Sequence, residues 1–451
     1  MSTIVVRANR SWVASALPPI LFFVGPLITS MVPRLTPLVL ALLGLALIVA
    51  ALCRGANWRV LIEPNPALAA CLAFAAYVFV NALWAADLGN ALGKAGTLLG
   101  VIVMAFAASS AVTHLDEKQL RRAALGFVAG AGLGALYLLF ELLTGGAITR
   151  AAMNFITVLK PDSAKHLDIA KGKVTKLSLA EFNQNAAVLM LHFWPGLLVL
   201  GMLAGVARRV ALIALFFLAL AVPIAISLHE SSQVALVGSL LVLLLAWKWR
   251  GPVIKGLAVF WCLCFVLVIP LDFLAYKAGL HLAPWLPSSA RARVIIWEYT
   301  AELTLEHPWL GVGVGSTAAL RDQQKRLSPA EQPEGFVFHR STGQHAHDVF
   351  LQSWYELGVV GAILLALAGV LVVLRIGVLP FVVQPFAAAS FAAFACIAAF
   401  AWGMWQSWFM CAVGLVPLYL RMTAAAVDGS LTESQSTGSL PSDRRQPIAT
   451  Q

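Results

Sequence analysis

The sequence predicts an all-α, polytopic integral membrane protein, and three observations carry that expectation. Of its 451 residues 60% are hydrophobic and 12% are charged, where a soluble domain carries roughly 25%. The mean hydropathy is +0.84. The apolar residues also fall into separate runs of about twenty, the length that ~30 Å of hydrocarbon requires of a helix rising ~1.5 Å per residue. A soluble fold is excluded on these grounds.

Twelve runs are expected to span, near residues 11–32, 35–53, 67–86, 94–112, 123–143, 184–206, 210–228, 233–249, 256–275, 348–374, 380–401 and 403–421. The first should be retained, because the run after Arg7 and Arg10 contains proline and lacks a small-residue cleavage site. Twelve spans return both termini to one side. One set of short loops holds Arg54, Arg59, Lys118, Arg121, Arg122, Arg208, Arg209, Lys248, Arg250, Lys255 and Arg375, while the opposite short loops hold almost no basic residues. The excess marks the cytoplasmic side, which is expected to hold both termini.

The chain therefore divides into spans 1–5 (residues 1–143), an outer loop (144–183), spans 6–9 (184–275), a larger outer loop with short helices (276–346), spans 10–12 (347–422) and a tail (423–451). The tail is expected to be disordered, being rich in Ser, Thr, Gln and Pro from Asp428 onward. Cys53, Cys71, Cys262, Cys264, Cys396 and Cys411 lie in or beside apolar runs without a CxxC pair. Neither a disulfide nor a metal site is expected, and no cofactor or nucleic acid either.

Function should reside in the two long outer loops. The first carries Arg150, Lys160, Lys165, Lys171, Lys173 and Lys176 against Asp162, Asp168 and Glu181; the second carries Lys277, Arg291, Arg293, Arg321, Lys325, Arg326 and Arg340 with His281, His307, His339 and His345. Such charge reads either as solvated surface or as the footprint of an anionic ligand.

From Pro287 the second loop reads as a helix opened by a Ser288 cap and ending before His307-Pro308. Its arginines crowd the positive N-terminal end, while Glu298, Glu302 and Glu306 gather toward the negative end, against the helix dipole. Guanidinium groups beside free backbone N–H groups suit phosphate oxygens. At 100° per residue Arg291 shares a face with Glu298 and Glu302, and Arg293 points about 200° away, with Trp297, Thr300 and Thr304. Arg293 is the stronger ligand candidate and Arg291 the more easily ion-paired.

Gly311-Val312-Gly313-Val314-Gly315 lacks the strand and βαβ unit of a nucleotide loop and is expected to form a tight turn. His345 and His347, at the loop-to-span junction, are candidates for proton handling near neutral pH or for backbone-bonded interfacial residues. Glu356 lies nine residues beyond His347, on the opposite side of a helix, and is expected to pin packing. His192, His229 and Glu230 are read as structural polar residues of the outer leaflet.

The succession Arg293-x-x-x-Trp297, His307-Pro308-Trp309-Leu310-Gly311-Val312-Gly313-Val314-Gly315, His347-Asp348-x-x-Leu351 and Glu356-Leu357-Gly358-x-x-Gly361 resembles the O-antigen ligase and polymerase superfamily. Phe182-Asn183-Gln184-Asn185-Ala186-Ala187 is similar to that superfamily's Asn-containing segment before a long helix. The resemblance implies an outward-facing, metal-independent glycosyltransferase of the bacterial inner membrane using an undecaprenyl-pyrophosphate-linked glycan, with lipid A-core as acceptor in the ligases. It implies His347 as the catalytic histidine and Arg293, with Arg291 beside it, at the donor pyrophosphate.

Two positions depart from the family. Asp348 stands where Asn is frequent, and Ser232-Gln233 stands where a Ser-Arg pair is frequent, so a loop lysine or Arg340 is left to supply that charge. His345, Arg340, Gln184 and Gln233 are secondary candidates. No arginine of either outer loop has glycine eleven positions on, the pattern associated with the polymerases, and the chain has no long C-terminal extension of the kind usual in protein-directed oligosaccharyltransferases. Ligase is the expectation, with polymerase, protein-directed transferase and a transporter of anionic lipid or solute as alternatives.

Overall fold

The computed structural model describes residues 2–156, 167–203, 206–321 and 340–437. Among these, nine helices are long and apolar enough to cross a membrane and three shorter apolar helices accompany them. The chain is an all-α polytopic membrane protein, and each expected run falls on one helix. In order these are α1 (Ser2–Met31), α2 (Thr36–Cys53), a short α3 (Trp58–Leu61), α4 (Pro66–Asn81), α5 (Leu88–Ala111), α6 (Glu117–Thr144), a short α7 (Ala147–Phe155), α8 (Asn183–Leu203), α9 (Val206–Ile226), α10 (Glu230–Lys248) and α11 (Arg250–Lys277). Then come α12 (Ser288–Glu306), α13 (Ser316–Leu320), α14 (Val349–Arg375), α15 (Gln384–Phe400) and α16 (Ser407–Thr437).

Small residues let the helices approach. A Cβ on Gly130 of α6 would stand 2.1 Å from the Phe23 carbonyl of α1, so only glycine allows this crossing. The spacer Gly126-x-x-x-Gly130-x-x-x-Gly134 continues the contact along α1. At the centre, α8 buries Phe193 and Trp194, and the Trp194 indole donates to Ser239 Oγ of α10 at 2.8 Å. An indole N–H kept from water needs such an acceptor.

Three expectations change. The first outer loop is partly folded: α7 is followed by an antiparallel pair, β1 (Leu167–Ala170) and β2 (Lys173–Leu177), with Asn154 bonded to both polar backbone atoms of Val174. Arg150 donates to the carbonyls of Gly146, Thr175 and Thr144, which spends it on holding the loop. Where disorder is expected from residue 423, α16 continues to Thr437, since Ala424, Ala425 and Ala426 extend the helix and no proline follows Pro417 before Pro441. Lastly, α12 begins at Ser288 with Pro287 in the cap position and no side-chain cap bond; Ser289 instead donates to Glu230 Oε2 at 3.0 Å.

The end of α1 and the starts of α8, α10, α14 and α16 gather at one end of the bundle. Asn185 donates to the carbonyls of Ser30 and Met31, tying α8 to α1, and Gln233 donates to those of Ala225 and Ser227, closing the α9–α10 turn. This loop-rich end carries the candidate site.

Candidate active site

A broken helix sets the frame. Inside α14, Gly358 adopts φ 66° and ψ −170°, freeing the carbonyls before it. The Gly311–Gly315 segment fills that break: Val312 N–H donates to Tyr355 O at 3.0 Å, Gly313 N–H to Glu356 O at 2.9 Å, and Val359 N–H to Pro308 O at 2.8 Å. Non-helical backbone at membrane depth is stable only when protein satisfies it in this way. Gly311, Gly313 and Gly315 all have positive φ, and a Cβ on Gly313 would lie 2.4 Å from Ala85 Cα.

Glu356, fully buried, binds this segment from below, as a packing role requires. Its carboxylate accepts from Gly315 N–H at 2.6 Å, Gln352 Nε2 at 3.1 Å, Thr317 and the Trp405 indole. Asn81 of α4 completes the dock, accepting from Val314 N–H at 2.6 Å and donating to Leu310 O at 2.9 Å.

Above this frame stands His347, with φ 56°, one of two non-glycine residues at positive φ among those described. A left-handed histidine is uncommon and is held by its neighbours at a cost of ~1–2 kcal/mol. Those neighbours are identifiable. The Trp297 indole of α12 donates to Ala346 O at 2.9 Å, Asp348 Oδ1 caps α14 by accepting from Phe350 N–H (2.7 Å) and Leu351 N–H (3.0 Å), and His347 Nδ1 lies 2.8 Å from Ala401 O. Asn can perform the same capping as Asp348, which accounts for the departure at that position.

A carbonyl oxygen only accepts, so the bond to Ala401 places the His347 proton on Nδ1. Nε2 then carries the lone pair of the neutral ring. Burial, aided by the Arg293 charge, holds the ring below the usual histidine range despite the Ala401 bond. His345 stacks beside it, ring centroids 4.1 Å apart, and is pushed down to about 3 by burial, His347 and Arg293. Both rings are neutral at pH 7.

Arg293 is the cation these histidines feel, on the α12 face shared with Trp297. Its own pKa is lowered by burial, with the Glu230 carboxylate opposing that effect. His229 joins the group from the start of α10, its ring 5.5 Å from that of Trp402 and its pKa lowered to about 3 by burial and by Arg293. His229 Nε2, His345 Nε2 and Trp402 Nε1 are buried without a protein hydrogen-bond partner. Three such polar atoms gathered around the Ala401–Gly403 turn leave room for an outside hydrogen-bond partner.

The remaining candidates separate. Arg340 is bidentate to Glu298 (2.8 and 3.2 Å), reaches Glu302 at 2.6 Å and covers the Tyr299 ring, so its charge is neutralised on the opposite face of α12. Gln233 serves the α9–α10 turn, and Gln184 lines a cavity beside Trp405. Arg291 precedes Arg293 by two residues, half-buried. Lys160, Asp162, Lys165, Lys325, Arg326 and His339 lie outside the described residues. Sequence reasoning did not place His229 beside Trp402 and Arg293, nor the Ala401–Trp402 turn against the histidines. For His229 the signal was a histidine beside an acid at a span start; a backbone carbonyl leaves no signal at all.

No curated protein sequence matches the chain. The family model described as O-antigen ligase matches residues 213–366, which run from α9 through α14 and include His229, Arg293, His347 and Glu356. Over that stretch, the helices that carry the arginine and histidine cluster, the chain is similar to the O-antigen ligase family.

Proposed function

We propose that the protein is an O-antigen ligase: an inverting, metal-independent glycosyltransferase that moves a glycan from undecaprenyl pyrophosphate to a sugar hydroxyl of lipid A-core at the periplasmic face of the inner membrane. The short-loop charge excess supports this orientation, with the loop-rich end outside. One observation carries the chemistry: a neutral His347 with its proton on Nδ1 presents a basic Nε2 within the field of the half-buried Arg293.

In this reading His347 Nε2 takes the proton of the acceptor hydroxyl as that oxygen bonds to the anomeric carbon. The bond from that carbon to the pyrophosphate oxygen breaks on the opposite face, and the configuration inverts. Arg293, with Arg291 at the start of the same helix, stabilises the departing pyrophosphate, where a planar guanidinium matches two phosphate oxygens. Both substrates are lipids, so the membrane supplies part of the proximity that a soluble enzyme must build.

Complementation tests the assignment. The gene should restore polymer-capped lipopolysaccharide in a strain lacking its ligase and should not restore chain length in a strain lacking its polymerase. Rescue of the second strain alone would make the protein a polymerase.

A further inference from the structure

A cavity of about 460 Å³ opens at the loop-rich end, lined by Arg34, Gln184, Trp405, Gln406, Ser407 and Trp408. Its size falls within the ~300–1,000 Å³ of small-molecule sites. One wall continues the loop that orients the histidines. Ala401 accepts from His347, Gly403 lies against the His345 ring, and Trp402 meets Trp408 edge to face at 5.0 Å.

The lining has a specific chemistry. The N–H of Trp405 is committed to Glu356 and that of Trp408 to Gln406 Oε1 at 2.7 Å. The two indoles are thereby fixed in place and contribute apolar ring surface. The Gln184 carboxamide, the Gln406 amino group and the Ser407 hydroxyl add donors and acceptors. Flat apolar surface beside polar groups of both kinds matches a pyranose, which has a C–H face and a rim of hydroxyls. Arg34 is exposed, and no acid is among the lining residues. A guanidinium so placed favours a phosphate or carboxylate on the same glycan.

Which substrate this is follows from the direction of displacement. An inverting attack places acceptor and leaving group on opposite sides of the anomeric carbon. Arg293 reaches the histidines from α12, whereas the cavity is walled by the Pro33–Leu35 turn, the start of α8, the far end of the 401–406 loop and the start of α16. We propose that this cavity seats the acceptor glycan, holding a pyranose that bears or adjoins an anionic group; the proposal rests on the glycosyl-transfer reading above.

Initial rates with full-length protein, purified lipid A-core and lipid-linked donor test it, each substrate varied in turn. Gln406→Ala and Arg34→Ala should raise the KM for acceptor on the order of tenfold, the scale of a lost hydrogen bond to a charged or well-placed group, and leave kcat and the donor KM within about twofold. With dephosphorylated acceptor, disappearance of the Arg34→Ala effect identifies phosphate as the anion; persistence identifies a carboxylate. An unchanged acceptor KM in both variants, or a change confined to the donor KM or to kcat, overturns the assignment. If the wild-type protein makes no product, the transfer reading fails by itself. Binding of delipidated core oligosaccharide, followed by tryptophan fluorescence, then decides the cavity: equal binding by wild type and both variants would overturn it, and weakened binding by the variants would uphold it.

Discussion

Trp297 donates its indole N–H to the carbonyl of Ala346 at 2.9 Å, and Ala346 is the residue that separates His345 from His347. One face of α12 therefore does two things: Arg293 brings charge to the histidines, and one turn later Trp297 fixes the backbone that aims them. Trp297→Phe keeps an aromatic ring and loses the bond. A drop in kcat of about tenfold is expected, equivalent to ~1.4 kcal/mol, with donor KM little changed. Steady-state kinetics that show full kcat would remove Trp297 from positioning the base.

His347→Ala should abolish transfer while leaving donor binding largely intact, and His345→Ala should do less. The measurement is turnover and donor binding on the same preparations. Survival of His347→Ala together with a dead His345→Ala would move the base to His345.

The pH profile follows from the neutral ring. The active form of His347 is deprotonated, and its pKa is depressed by burial and Arg293. Activity should be complete at pH 7 and lost only as pH falls through that depressed value, so the acid limb of kcat/KM lies below the ordinary ~6.5 of histidine. A limb at or above that value contradicts the assignment.

Arg293→Ala should cost more than Arg291→Ala, because Arg293 is the charge felt by His229, His345 and His347. Arg293→Lys should recover only part of the rate, since an ammonium cannot grip two phosphate oxygens at once. Wild-type rates from a correctly inserted Arg293→Ala protein would exclude the residue from the reaction. Treatment with EDTA should leave initial rates unchanged, and a loss reversed by magnesium or manganese would refute metal independence.

Gly313→Ala should destabilise the protein by at least ~1–2 kcal/mol, the cost of a left-handed alanine, with the contact at Ala85 added. A lowered melting temperature in detergent checks this. An unchanged one would show that the loop yields.

How much of this was legible beforehand depended on the range of each interaction. The helices were legible because a span announces itself in twenty local residues, and the α12 limits were visible in Pro287 and in His307-Pro308. Arg293 could be preferred to Arg291 from helical phase alone, as the Trp297 face turns toward the histidines. Arg340 could not be judged, because Glu298 lies 42 residues away and only the folded chain closes their pair. His229 read as a packing residue since its partners, Arg293 and Trp402, lie far along the chain. The α7 helix and β hairpin were hidden in a loop whose lysines drew attention to charge rather than to the Val174 and Leu177 pattern.

The docking of the Gly311–Gly315 segment also limits how the chain can be divided. A fragment cut at residues 213 and 366 would contain Arg293 and His347 and look like a minimal enzyme. It would lack Asn81, leaving the Val314 N–H and the Leu310 carbonyl bare in an apolar setting, and it would lack Ala401, so nothing would choose the His347 tautomer. Co-expression of residues 1–212 and 367–451 as separate pieces, rather than trimming, is the route by which such a fragment would regain a working site.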